Sequence, residues 1–181
     1  MKKSLIALAA LITLSAAQAA NFVQLEQENV QARQNGSADS NVTYLRAGKD
    51  LGDYTLGLQA RTARFSTDTT STSLETTVAN KKVSVAGITP FVGVGHDFNG
   101  TSGGFNYGLV GATTGAKIGP GFAYAGAKTR VGVGANEPKQ TVGFVGYSLP
   151  VAKDISVNAG LSRSGQDIKE RAVAVGVSFG F

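Results

Sequence analysis

Cysteine and tryptophan are absent from this 181-residue chain, histidine and methionine occur once each, and proline four times. Without cysteine no disulfide can hold the fold together, and thiolate chemistry, catalytic or metal-binding, is excluded. One histidine, His96, is too few for a histidine-based metal centre. Long hydrophobic runs are missing as well. Charges or glycines interrupt every apolar stretch after residue 20, so none is long enough to cross a bilayer as a helix. Helical periodicity is missing: no segment convincingly repeats its apolar residues every three to four positions. Nor is there a strong charge bias, since 17 Lys and Arg face 12 Asp and Glu, for a net charge of +5. A balance that mild argues for no nucleic-acid partner.

What the chain has in quantity is glycine, 24 residues, and hydrophobic side chains, 42%. The last eleven residues show how they are arranged. Val173, Val175, Val177, Phe179 and Phe181 fall on one face of an extended chain, and Ala172, Ala174, Gly176, Ser178 and Gly180 on the other. Alternation with period two is a strand with one apolar face. At the opposite terminus, Lys2 and Lys3 precede an apolar run over residues 5–14 and the small-residue site Ala17-Gln18-Ala19. That is the pattern of a cleaved signal peptide over residues 1–19, with an apolar run of about ten residues. The mature chain, 20–181, is expected to form one domain. Loss of the two signal lysines lowers its net charge from +5 to +3.

Extended segments are expected near 22–33, 41–49, 54–65, 81–88, 91–98, 105–117, 122–134, 140–149, 155–163 and 171–181. Tight connections at 49–53, 89–90, 118–121 and 150–154 alternate with more polar, often longer ones at 34–40, 66–80, 99–104, 135–139 and 164–170. Gly, Pro, Asn and Asp at these places supply the positive or fixed φ that turns need. The expected fold is all-β: a closed antiparallel up-and-down transmembrane β-barrel of ten strands, or of eight if one hairpin is lost. Strand 54–65 sets Tyr54, Leu56, Leu58 and Ala60 against Thr55, Gly57, Gln59 and Arg61. Periodicity alone fits a soluble sandwich equally well. The signal peptide, the aromatic terminus and the loop alternation together decide for lipid outside and polar groups inside, and lipid forbids an open sheet edge. Phe22, Tyr54, Phe91, Phe122, Tyr147 and Phe181 at one set of strand ends, with Phe65, Phe98 and Phe105 at the other, are expected to form two aromatic girdles.

Gly176, Phe179 and Phe181 resemble the C-terminal membrane-insertion signal of bacterial outer-membrane barrels, although Ala174 stands where that signal usually has a polar residue. Residues 87–95, Gly-Ile-Thr-Pro-Phe-Val-Gly-Val-Gly, are similar to a turn-and-upstroke segment of the same proteins. The mature chain as a whole resembles the small outer-membrane β-barrel proteins of Gram-negative bacteria, of the opacity-protein and OmpX-like kind. The resemblance implies an integral outer-membrane protein, inserted by the barrel-assembly machinery, in contact with outer-membrane lipid and lipopolysaccharide, and monomeric. Members serve as adhesins, envelope-stabilising proteins or narrow channels.

Chemistry is sparse. The glycine-rich pieces precede no helix and no Gly-Lys-Ser/Thr, so they are not phosphate loops. Residues 95–100, Gly-His-Asp-Phe-Asn-Gly, resemble a segment of barrel lipid A deacylases, but Phe98 stands where those enzymes carry serine. No catalytic, metal or cofactor residue is assigned. A structural, envelope-stabilising or surface-binding role leads, a narrow passive channel for small solutes is the alternative, and a lipid hydrolase comes last. Inside the barrel, Glu26, Glu28, Arg61, Lys128 and Arg130 are expected to form a charge cluster in which the glutamates meet some of the three bases. Outside it, Arg64, Arg163 and Arg171 share parity with lipid-facing residues. Ten residues separate Phe181 from Arg171; at about 3.3 Å each and a tilt near 40°, that rises roughly 25 Å, the height of an apolar band. These arginines are therefore expected to contact lipopolysaccharide phosphates through their planar donor forks.

Overall fold

The computed structural model describes residues 21–33, 38–98, 104–134, 139–166 and 169–181; the expected signal peptide lies outside them. Ten strands follow one another: β1 (Phe22–Ala32), β2 (Ser40–Asp50), β3 (Tyr54–Phe65), β4 (Thr70–Asn80), β5 (Thr89–Asp97), β6 (Phe105–Ile118), β7 (Gly121–Gly132), β8 (Lys139–Ala152), β9 (Ile155–Gln166) and β10 (Glu170–Gly180). Each pairs antiparallel with its neighbours in sequence, and β1 closes the ring against β10. This is the expected up-and-down barrel, with ten strands rather than eight. Closure pairs every strand on both sides, which removes the edges that would otherwise recruit another chain. Both termini lie at one end, where the Phe181 N–H donates to the Asn21 carbonyl at 3.0 Å. The opposite end is the far rim. Among the described residues no helix is long and apolar enough to cross a membrane.

The alternation of β10 sets inside and outside. Ala172, Ala174 and Ser178 are buried within the ring, whereas Val173, Val175 and Phe179 are exposed on its outer surface. Leu58, Val92, Val110, Val145 and Leu161 continue that outer apolar surface around the barrel.

One strand is not where the sequence suggests. Residues 81–88 are not a strand, and the segment expected as the long loop 66–80 holds β4. Its residues, Thr-Ser-Thr-Ser-Leu-Glu-Thr-Thr-Val-Ala-Asn, look like a polar loop. In a barrel, however, one face of a strand is free to be polar, and β-branched threonine favours extended backbone. Residues 81–88 instead form the terminal-end connection, a 3₁₀ turn (Lys81–Val83) followed by a miniature hairpin in which Val85 and Ile88 exchange both backbone hydrogen bonds. Its two central residues, Ala86 and Gly87, have φ of 51° and 77°. Positive φ at both positions matches the mirror-image turn that closes two-residue hairpins. Lys81 and Lys82 fasten the connection to the neighbouring β2–β3 turn, pairing with Asp50 and Asp53 at 2.7 Å each.

The aromatic girdles form only in part. Tyr54, Phe98 and Phe181 are exposed outside, but Phe22 and Phe91 are buried inside the ring, and Phe65 and Phe105 pack against interior apolar clusters. Interior rings lie over glycines of the next strand. A Cβ on Gly48 would sit 2.5 Å from the Phe22 ring, one on Gly126 2.5 Å from Phe144, and one on Gly146 2.3 Å from Tyr124. Each of these glycines is the direct register partner of its aromatic residue. The missing side chain is what lets a flat ring lie against the wall of a narrow barrel.

Candidate functional site

The barrel interior carries two charged centres. Glu75, on β4, is 1% exposed and is the hub of the larger one. It takes Lys128 Nζ at 2.9 Å, the Arg130 guanidinium, and the Tyr107 hydroxyl at 3.1 Å. Lys128 also donates to the Gln59 carbonyl oxygen at 3.3 Å. Arg130 donates to Gln140 at 3.0 Å, and the Gln140 amide passes on to Glu170 at 3.3 Å. In the second centre, Glu26 accepts from Arg46 Nη2 at 2.6 Å and from the Gln24 amide at 2.8 Å. Arg46 also stacks 4.7 Å over the Tyr44 ring. A carboxylate removed from water costs several kcal/mol unless cations and donors surround it, so each of these centres must be complete to be tolerated.

The expected partners are therefore corrected. Glu26 and Glu28 do face inward, but neither pairs with Arg61, Lys128 or Arg130. Glu26 pairs with Arg46. Glu28 accepts two hydroxyls, Tyr44 at 2.7 Å and Ser162 at 2.9 Å. Lys128 and Arg130 meet Glu75 instead, and Arg61 lines the interior cavity without an ion pair to any described residue. Glu75 and Arg46 escaped the sequence reading for separate reasons. Glu75 sits in the stretch taken for a loop. Arg46 shares its inward face with Val42, Tyr44 and Gly48, which does not look like the polar side of a strand.

Between the centres lies a cavity of about 120 Å³, bounded on one side by the charged groups and on the other by Phe144, Gly160, Ser162, Ala172 and Ala174. It lies against the β9–β10 wall because the inner faces there carry only small residues and Asn158, until Glu170 at the far rim. The interior closes towards both ends. Near the terminal end, Phe22, Gln24, Thr89, Ser148, Asn158 and Ser178 are all buried, so water does not reach them. Near the far rim Val30, Val42, Ala63 and Ala172 form an apolar cluster, with Tyr44 and Phe65 packed on it.

On the outer surface the three arginines separate. Arg163 and Arg171 are exposed and directly opposite one another across β9 and β10. Neither forms an ion pair with a described residue. Arg64 stands on β3, with β2 and β1 between it and β10, and pairs with Asp68 at 3.1 Å. Of the insertion-signal residues, Phe179 and Phe181 are exposed outside. Gly176 faces inward, where a Cβ would come within 2.6 Å of the Leu25 carbonyl oxygen. Close approach of β1 is thus a reason for glycine there, whatever the signal requires. His96 lies on the outer face near the far rim, its Nδ1 2.9 Å from the Asn106 side-chain oxygen and its ring edge-on to Phe98 at 4.6 Å. Ser102, the nearest candidate nucleophile in sequence, lies outside the described residues.

No known protein-family model and no curated protein sequence matches the chain. Solved structures do. The translocator domain of the autotransporter NalP from Neisseria meningitidis superposes with a TM-score of 0.54 at 11% identity, over 89% of this chain and 88% of that one. The β domain of the Bordetella autotransporter BrkA gives 0.54 at 12% identity, over 90% and 99%. This is the fold of the outer-membrane β-barrels. At such identities the likeness carries the fold and its membrane-facing outer surface to this chain, and nothing of the autotransporters' activity.

Proposed function

We propose that this barrel is an integral protein of a bacterial outer membrane that braces the envelope by holding lipopolysaccharide against its outer surface. The observation that carries the reading is the Arg163–Arg171 pair. Like charges directly opposite one another on neighbouring strands repel, and no described carboxylate relieves these two. An anion bridging both guanidiniums removes the repulsion and receives up to four charge-assisted hydrogen bonds, the geometry that phosphate suits best. The pair caps the apolar stripe of β10, which runs through Phe179, Val177, Val175 and Val173. That is the level at which outer-leaflet phosphates are expected. Arg64 contributes less, because Asp68 already neutralises it.

The test replaces both residues, Arg163→Gln and Arg171→Gln, and measures the unfolding temperature in vesicles with and without lipopolysaccharide. The expected result is a loss confined to the lipopolysaccharide-containing vesicles, with Arg64→Gln changing little. An equal loss in both membranes would leave the pair as solvated rim residues.

A narrow channel is the second reading, favoured by the internal cavity. Buried layers on both sides of that cavity argue against steady flow. Refolded protein in planar bilayers is expected to show no stable single-channel steps, and regular steps would restore the channel reading.

A further inference from the structure

The outer surface is not uniform around the ring. On β10 the outward stripe is apolar from Phe179 to Val173, and on β9 from Ile155 to Leu161. On β1 it is apolar only at Val23 and Leu25, and then turns to Gln27, Asn29 and Gln31. On β2 it is apolar at Ala47 and Leu45, and then turns to Thr43 and Asn41. Gln27 stands in register with Val175, the middle of the β10 stripe, and Asn29 with Val173. Both side chains are exposed. The interior behind them is reversed in the same sense, since Val30, Val42, Ala63 and Ala172 make an apolar cluster there. On this face the barrel's polarity is inside-out.

An outward stripe this short does not match a bilayer. Mismatch of that kind is relieved by thinning the membrane or by covering the face with protein. The side chains point to the second. Thr43 donates to the Gln27 carbonyl oxygen at 2.9 Å, and Asn29 Nδ2 to the Asn41 carbonyl oxygen at 3.2 Å. Each asparagine then keeps one unmatched group: Asn41 its NH₂, Asn29 its carbonyl oxygen, neither with a described partner. A donor and an acceptor side by side on one patch are self-complementary.

We infer that the outer face of β1 and β2 is a homodimer interface, in which the Gln27, Asn29, Asn41 and Thr43 ladder of one copy hydrogen-bonds the same ladder of a second. This rests on the barrel spanning a membrane, as proposed above. A two-fold axis along the membrane normal brings equal depths together, so amide meets amide and Leu25 and Leu45 meet their counterparts. An unrelated partner would need its own amide ladder at the same depth. No charged side chain points outward between Val23 and Gln31 or between Asn41 and Ala47, so two copies approach without repulsion. The inference revises the monomer expected from the sequence.

The chain has no cysteine, so single thiols report contact without background. Asn29→Cys in phospholipid vesicles is expected to give a disulfide-linked dimer on mild oxidation, and Val110→Cys, on the outer face of β6, is not. In a Gln27→Leu, Asn29→Leu, Asn41→Leu, Thr43→Val variant, which lengthens the apolar stripe, the copy number per particle in native nanodiscs is expected to fall from two to one. Heat-modifiable mobility on gels checks that this variant still forms the barrel. A wild type that stays monomeric, or a dimer that survives the four substitutions, overturns the inference. So does a patch variant whose only defect is weaker stabilisation by lipopolysaccharide, because the amides would then belong to the lipid. Failure of the wild type to enter vesicles at all would instead remove the membrane reading, and the interface with it.

Discussion

At the residue scale, Glu75 governs the interior. It is nearly inaccessible, bears two cations and a phenol, and sits on the strand that looked least like one. Glu75→Gln leaves Lys128 and Arg130 buried without their counter-charge, which is expected to cost about 3–5 kcal/mol. Glu28→Gln, whose partners are two hydroxyls that an amide oxygen also satisfies, is expected to cost about 1–2 kcal/mol. Urea unfolding in detergent micelles measures both, and equal losses would mean that Glu75 is not the hub. The sequence carried the inward orientation of Glu26, Glu28, Lys128 and Arg130, because parity along a strand is a local property. It did not carry their partners. Which carboxylate meets which base depends on how ten strands stagger around a ring, and no single strand encodes that.

At the element scale, period-two alternation placed nine of the ten strands close to where they stand and misplaced β4. The error has a physical origin. A strand in a soluble sheet advertises itself by one apolar face, whereas β4 offers only Leu74 and Val78 outward, among threonines. The exposed Val83, Val85 and Ile88 then drew the reading to the connection that follows. That connection holds the strained residue Ala86, whose left-handed backbone crowds its Cβ against the adjacent carbonyl. Ala86→Gly removes the crowding at some entropic cost in the unfolded chain, and the net gain is expected to be up to about 1 kcal/mol. A lower midpoint in the same urea titration would show that the hairpin does not hold Ala86 in that conformation. The aromatic residues misled for a related reason. Strand-end position was taken to mean lipid contact, but Phe22 and Phe91 have inward parity, and the glycines opposite them are the part of the pattern that says so.

At the scale of the whole molecule, nine of the ten pairings join strands consecutive in sequence, and only β1 with β10 spans the chain. That seam brings Phe181 onto Asn21, so the first and last described residues are bonded neighbours. Seen as a closed loop of hairpins, the barrel has no beginning. Its stability is indifferent to which turn is left uncut, and only assembly in the cell distinguishes one end of the chain from another. A circular permutant tests this: Asn21 and Phe181 are joined by a short linker, and the chain is opened in the β6–β7 turn between Gly119 and Pro120. It is expected to refold in micelles to nearly the parent stability. In cells it is expected to fail to reach the outer membrane, as deletion of Phe181 alone would, because the terminal aromatic would now lie inside a turn. Normal delivery of the permutant would mean that the insertion signal is read from the shape of the seam and not from a free end.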